Sequence, residues 1–237
     1  MKICPTKLLM RQEIAQLRAD GKTIALVPTM GFLHLGHLQL VRRALQNADA
    51  VVVTIFVNPT QFAPTEDLSS YPRDMERDLA LLRAEGVAAV FTPNPDEMYL
   101  PGGDTIVDVP SLSGVLQGAV RPSHFKGVAT VVTKLFNITQ PDVVVFGEKD
   151  FQQLTLIRKM VRDLDMPLRI IGHPTAREAD GLAMSSRNVR LSRAHRAAAP
   201  ILNVALNAAR PLYTIDAADD QLCVHPRHPP NIYKNKQ

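Results

Sequence analysis

Thr23-Ile-Ala-Leu-Val-Pro28-Thr-Met-Gly-Phe-Leu-His34-Leu-Gly36-His37-Leu-Gln-Leu-Val-Arg-Arg-Ala-Leu-Gln-Asn47 is the stretch whose reading decides the fold. Its first six residues form a short apolar run with β-branched and bulky aliphatics, the pattern of a strand buried on both faces. From His37 to Asn47 the apolar residues Leu38, Val41 and Leu45 recur at helical spacing. The polar, glycine-containing link between them is a strand-to-helix turn.

The same alternation extends in both directions. A helix is predicted from a cap at Thr6 to about Ala19, ended by Asp20-Gly21. Downstream come a strand at Ala50 to Val57, a helix at Arg73 to Glu85 closed by Gly86, and strands at Ala88 to Thr92 and Thr105 to Val109. A helix at Val128 to Thr139, a strand at Val143 to Phe146, a helix at Phe151 to Leu164 and a strand at Leu168 to Gly172 complete the series. Short apolar strands separated by amphipathic helices predict an α/β fold, a parallel sheet with helices on both faces. Past Ser192 the pattern changes: Arg193 to Arg210 is Ala-rich and helical, with Pro200 expected to kink or split it. Periodicity is lost after Arg210, and Val224 to Pro230 predicts an irregular tail.

Composition narrows the function. The 237 residues are 46% hydrophobic and 21% charged, the balance of a globular protein with a real core. The longest apolar run, Ala48 to Val57, is broken by Asp49 and Thr54 and is too short to cross a bilayer. The N-terminus lacks the form of a signal peptide, so a cytoplasmic location is expected, with no membrane partner. Cys4 and Cys223 stand far apart, which suits a reducing compartment and offers no metal pair. A net charge of +4 with no Trp and 5% aromatics argues against nucleic acid as a partner.

The polar clusters fall after strands, where ligands bind in open parallel sheets. After the first of them, His34 and His37 share one face at a helix start, beside free N–H groups that favour phosphate, and Gly36 leaves room for a flat ligand. A helix cap with a surface histidine, or half of a metal site, would produce the same letters. The second cluster is Asn58-Pro-Thr-Gln61, and the third is Gly147-Glu148-Lys149-Asp150 followed by Gln152 and Gln153. The fourth is Asp180-Gly-Leu-Ala-Met184-Ser185-Ser186-Arg187-Asn188, whose hydroxyls and guanidinium match a polyphosphate. Ser-Ser-Arg and Lys149 are weak taken alone; their joint placement after strands is what gives them value. The chain has neither a Walker A loop nor a Gly-x-Gly-x-x-Gly turn.

In this order, VPTMGFLHLGH, IFVNPTQF, YPRDMERDLALL, HFKGVATVV, FGEKDFQQL and DGLAMSSRN closely resemble the pantothenate synthetases, members of the nucleotidylyltransferase superfamily with the HxGH motif. The resemblance runs over about residues 1 to 208. It implies a Rossmann-like ATP- and pantoate-binding domain over residues 1–175, a small, shortened C-terminal lid domain over 176–237, and a homodimer. It also implies a two-step ligation: pantoate attacks the α-phosphorus of Mg2+-ATP, and β-alanine then attacks the pantoyl adenylate, releasing AMP. Carried over motif by motif, Met30, Gly31, Phe32, Leu33, His34, Leu35, Gly36 and His37 would hold ATP, with His37 at the family's acid position. Gly147, Glu148, Lys149, Asp150, Ala176, Met184, Ser185, Ser186 and Arg187 would complete the nucleotide site. His37, His34, Lys149 and Arg187 would be catalytic. Gln61 and Gln153 would bind pantoate, Gln61 also β-alanine, while Tyr71 would lie near the amine and Asp78 near Mg2+.

Residue chemistry gives the two glutamines a reason. A carboxylate that must act as a nucleophile is quenched by an Arg clamp, whereas neutral amides orient it through its hydroxyls. Two departures from the family pattern stand out. Leu35 replaces a frequent acidic residue, and the stretch from 211 to 237 resembles nothing in the family, so a leaky lid is expected. The rival readings are a nucleotidyltransferase, which would want more basic residues at its acceptor site, and a catalytically impaired homologue.

Overall fold

The computed structural model describes residues 1–209. The irregular tail expected at 211–237 lies outside the described residues. Six parallel strands form one sheet: β1 (Lys2–Cys4), β2 (Ile24–Thr29), β3 (Ala50–Ile55), β4 (Ala89–Phe91), β5 (Val143–Gly147) and β6 (Arg169–His173), in the order β1-β4-β3-β2-β5-β6. The longer helices are α1 (Lys7–Ala19), α2 (Leu35–Leu45), α3 (Met75–Ala84), α7 (His124–Thr139) and α8 (Phe151–Asp163), with short turns α4 (Pro95–Met98), α5 (Pro110–Ser113) and α6 (Gln117–Val120).

Strand pleating sorts the core into two layers. Ile24 and Leu26 of β2 join Ala50, Val52 and Phe91 in a cluster with α1, α7 and α8 residues such as Met10, Phe125 and Leu154. Ala25 and Val27 point the other way, with Val51, Val53, Val90 and Val145, towards Val41 and Ala44 of α2 and Leu82 of α3. Both faces are covered, which is why the strands read as continuous apolar runs. In α2 the third inward residue is Ala44 and not Leu45, which is 38% exposed.

Two sequence expectations need correction. The strand expected at Thr105 to Val109 does not form. The Val107 N–H donates to Thr130 Oγ1 of α7 (3.0 Å) instead of a sheet neighbour, and Pro110 opens α5 two residues after Asp108. Conversely, Lys2–Cys4 forms an edge strand on β4 that three residues are too few to announce. The expected break at Pro200 is present: α9 (Arg193–Ala198) ends before it and helix resumes at 201–209.

The described residues divide into two compact units, one of Met1–Arg177 with Ala183–Arg190, the other of Glu178–Leu182 with 191–209. In the second unit the Ser192 hydroxyl caps α9 by accepting the His195 N–H (3.2 Å), and Arg196 pairs with Asp180 (2.5 Å). Among the described residues no helix is long and apolar enough to cross a membrane.

The strand order reverses at β2, whose chain runs outward to β3 and β4 before β5 returns on its other side. Pairing of β2 with β5 stops at Leu26–Val144, two residues short of Pro28. Pro28 has no N–H to offer a ladder, so the strands part there without leaving a donor unpaired. That gap is the crevice in which open α/β sheets take ligands.

Candidate active site

A cavity of about 300 Å³ opens at this gap, with Pro28 and Phe146 in its wall. Every residue lining it belongs to the first unit. Sequence-selected residues from all four clusters meet here: Met30, His34, Gly36 and His37 after β2; Gln61 and Tyr71 after β3; Gly147, Lys149, Asp150 and Gln153 after β5; and Ala176, Met184, Ser185, Ser186 and Arg187 beyond β6. Gly31, Phe32, Leu33, Leu35 and Glu148 are not part of its wall.

The histidine pair is both cap and site. His34 is the N-cap of α2, and its Nδ1 accepts the Gly36 N–H at 3.1 Å. His37 reaches back, its Nδ1 accepting the His34 N–H at 3.3 Å, a capping box built from two imidazoles. The rings lie 4.0 Å apart between centroids. Burial lowers the His37 pKa to about 3, helped by His34 and Lys149, and lowers that of His34 to about 4, helped by Lys149 and Arg77. Both are therefore neutral at physiological pH. Because each Nδ1 is an acceptor, each proton resides on Nε2, the nitrogen left for a ligand. A Cβ on Gly36 would come within 2.9 Å of the His34 ring and 3.3 Å of Ala176, so only glycine keeps this passage open.

The turn ahead of His34 is tightly bound. Gly31 and Phe32 have φ of 84° and 50°, and a bulky residue in that region is strained by about 1–3 kcal/mol. Asp78, expected near a metal, is only 1% exposed and is absent from the cavity wall. Its Oδ2 accepts the Phe32 N–H and its Oδ1 the Leu33 N–H, both at 2.7 Å. Burial raises its pKa, opposed by those two N–H groups and by Arg77. The backbone N–H groups of Phe32 and Leu33, two residues of the stretch expected to hold ATP, are thus turned to Asp78.

Gln61 is oriented from below. Asn58, 1% exposed, donates from Nδ2 to Gln61 Oε1 (3.1 Å) and accepts at Oδ1 from the Tyr99 hydroxyl (2.7 Å). With its oxygen engaged, Gln61 has Nε2 as its donor, and one of its N–H groups meets Met30 Sδ at 3.6 Å. Of the paired glutamines on α8, Gln153 lines the cavity, while the Gln152 amide donates to the carbonyls of Leu112 (3.0 Å) and Val115 (2.7 Å).

Arg187 forms a two-bond fork on Asp67 (2.8 and 2.9 Å) and lies 5.0 Å from the Tyr71 ring centre. This contact holds the Asp67 carboxyl at a pKa of about 2. Ser186 is 5% exposed, and its hydroxyl donates to the Phe32 carbonyl at 3.0 Å.

Sequence selection gave Asn58 a cluster but no role, and passed over Arg121 and His124 as site residues. Arg121 and His124 line the cavity beside Gln61, Arg121 paired with Glu66 at 2.6 Å and the His124 ring 2.9 Å from the Gln61 carbonyl oxygen. A basic residue and a histidine at the start of a helix were the available signal.

The family model of pantoate-beta-alanine ligase matches residues 2–229, extending past residue 208, where the motif resemblance ends, into the stretch read as foreign to the family. The pantothenate synthetase of Agrobacterium fabrum is 56% identical over 224 residues, covering 94% of this chain and 76% of the relative. The crystal structure of pantothenate synthetase from Thermus thermophilus superposes with a TM-score of 0.82 at 49% identity, over 93% of this chain and 76% of that one. That of the pantoate-beta-alanine ligase from Francisella tularensis, complexed with beta-gamma ATP and beta-alanine, gives 0.78 at 38% identity, over 81% of this chain and 74% of that one. With its cavity at the sheet's switch point and a family match over most of its length, this chain belongs to the pantoate–β-alanine ligase family.

Proposed function

We propose that the protein condenses pantoate with β-alanine at the expense of ATP, through a pantoyl adenylate held in the cavity between β2 and β5. The observation that carries this reading is the convergence of two neutral imidazoles, Lys149 and Arg187 with the two amides Gln61 and Gln153 around one cavity. Cationic and N–H donors suit a triphosphate; paired amides suit a small hydroxy acid whose carboxylate must stay reactive.

In the first step a pantoate carboxylate oxygen bonds to the α-phosphorus and the bond to pyrophosphate breaks. Gln61 and Gln153 orient the acid. His34 and His37 offer Nε2–H to phosphate oxygens without giving up the proton, since burial disfavours the cation that a general acid would start from. Lys149 and Arg187 oppose the charge that grows on the leaving pyrophosphate. In the second step the β-alanine ammonium gives a proton to solvent, the amine nitrogen bonds to the acyl carbon, the bond to AMP breaks, and the nitrogen releases a second proton to solvent as the amide forms. Gln61 and Tyr71 border that end of the site.

Mg2+ fits as an ion carried on the nucleotide. The cavity wall offers one carboxylate, Asp150, and among the described residues no group of three or more His, Cys, Asp or Glu is placed to hold a metal. Asp150 would hold the ion, which would supply charge neutralisation to the triphosphate. The family resemblance supports one further assignment, a cytoplasmic homodimer. Pantoate-dependent exchange of labelled pyrophosphate into ATP tests the whole reading. Exchange with pantoate and AMP release on adding β-alanine are expected; exchange that ignores pantoate would overturn it.

A further inference from the structure

We infer that Asp78 is a positioning residue, which holds the Gly31–Leu33 turn in the one shape that delivers His34 and His37 to the cavity.

The turn cannot hold itself. Phe32 sits at φ 50° and follows Gly31 at φ 84°, a conformation that persists only where neighbours over-determine it. All four backbone polar groups of Phe32 and Leu33 are taken by side chains. Asp78 accepts both N–H groups at 2.7 Å, one on each oxygen. Arg77 donates to the Leu33 carbonyl at 2.9 Å, with its guanidinium 5.6 Å over the Phe32 ring. Ser186 donates to the Phe32 carbonyl at 3.0 Å. The residue after Leu33 is the N-cap histidine, so a rotation in this turn moves both imidazoles together.

Asp78 is suited to this task and unsuited to metal binding. It is buried in α3, whose N-terminus is fixed by Asp74 accepting the Arg77 N–H at 3.1 Å. Its two oxygens already accept charge-assisted bonds, and the residue lines a separate cavity of about 240 Å³ rather than the nucleotide cavity. Space is tight as well: a Cβ on Gly31 would lie 3.1 Å from Asp78 Oδ2. Asparagine has the same shape but one acceptor, so its amide would oppose one of the two N–H donors. Ser186, selected from sequence as a phosphate ligand, belongs to the same clamp.

The inference rests on the ligase reading for its kinetic assay alone. In pantoate-dependent pyrophosphate exchange, Asp78→Asn should lower kcat about 30-fold or more, with the KM for pantoate unchanged. Excess Mg2+ should restore none of it. In the ligand-free protein, nitrogen NMR of the imidazoles should show His34 and His37 losing their Nε2–H tautomer signature. Recovery of activity with excess Mg2+ would make Asp78 a metal ligand and overturn the inference, as would unchanged kcat and imidazole signals. If Asp78→Asn does not fold, Ser186→Ala loosens the clamp from its other side. It should lower kcat at constant KM for ATP, and a raised KM for ATP alone would refute the clamp. A wild-type chain without exchange sinks the ligase reading, while the imidazole spectra still decide the role of Asp78.

Discussion

The His34 backbone N–H donates to Nδ1 of His37 at 3.3 Å, so the residue that caps helix α2 also fixes the tautomer of the imidazole one turn later. A hydrogen bond within the backbone's own capping box thereby sets which nitrogen of His37 carries the proton that meets the substrate. Local helix chemistry and site chemistry are here the same bond.

His37→Ala removes that donor. A preorganised donor to developing charge is worth about a hundredfold in kcat, so pyrophosphate release should fall by about that factor with little change in KM for ATP. A near-normal kcat in steady-state assays would remove His37 from the catalytic set.

Acid should unfold the protein partly through this pair. Their folded pKa values, about 4 and about 3, lie below the reference 6.5, so the unfolded chain binds more protons in between. Their contribution is complete above pH 6.5 and is lost as the pH falls towards those folded values. Urea midpoints measured at stepped pH should decline on this limb, less steeply in His37→Gln than in the wild type. Equal slopes would show that the histidines are not held neutral.

Gln61→Ala and Gln153→Ala should each weaken the use of pantoate by about 1–3 kcal/mol, the cost of leaving a buried partner unpaired. The KM for ATP should hardly move. An equal loss for both substrates, read from initial rates, counts against the placement.

Arg187→Lys keeps the charge but loses the fork on Asp67 and the stacking over Tyr71. The KM for ATP should rise about tenfold, because a point charge replaces a planar one. An unchanged KM would place Arg187 outside the nucleotide site.

Gly127→Ala is a test of architecture. A Cβ there would lie 2.5 Å from the Thr60 carbonyl oxygen and 2.7 Å from the Gln61 nitrogen. Helix α7 packs backbone against backbone on the turn that presents Gln61. Overpacking of this kind costs about 1–3 kcal/mol, so Tm should drop and the KM for pantoate should rise together. A stable variant with normal pantoate use would show that the turn yields freely.

The sequence by itself determined the alternation of strands and helices, because strands covered on both faces must be apolar throughout and their helices must carry apolar stripes. It also marked the polar clusters after β2, β3 and β5, since loops at strand ends are where polar chemistry accumulates. Tertiary structure alone decided which members of each cluster face the ligand. His34 and Lys149 line the cavity while Phe32 and Leu33 turn their N–H groups to Asp78, and adjacent glutamines divide into Gln153 on the wall and Gln152 on the α5–α6 carbonyls. The role of Asn58, and Arg121 altogether, came to light only in three dimensions. Their partners, Tyr99 and Gly127 for one and Glu66 for the other, lie 41, 69 and 55 residues away in the chain. Periodicity is a local property and survives in one dimension; a hydrogen bond across such separations exists only once the sheet has brought its strand ends together.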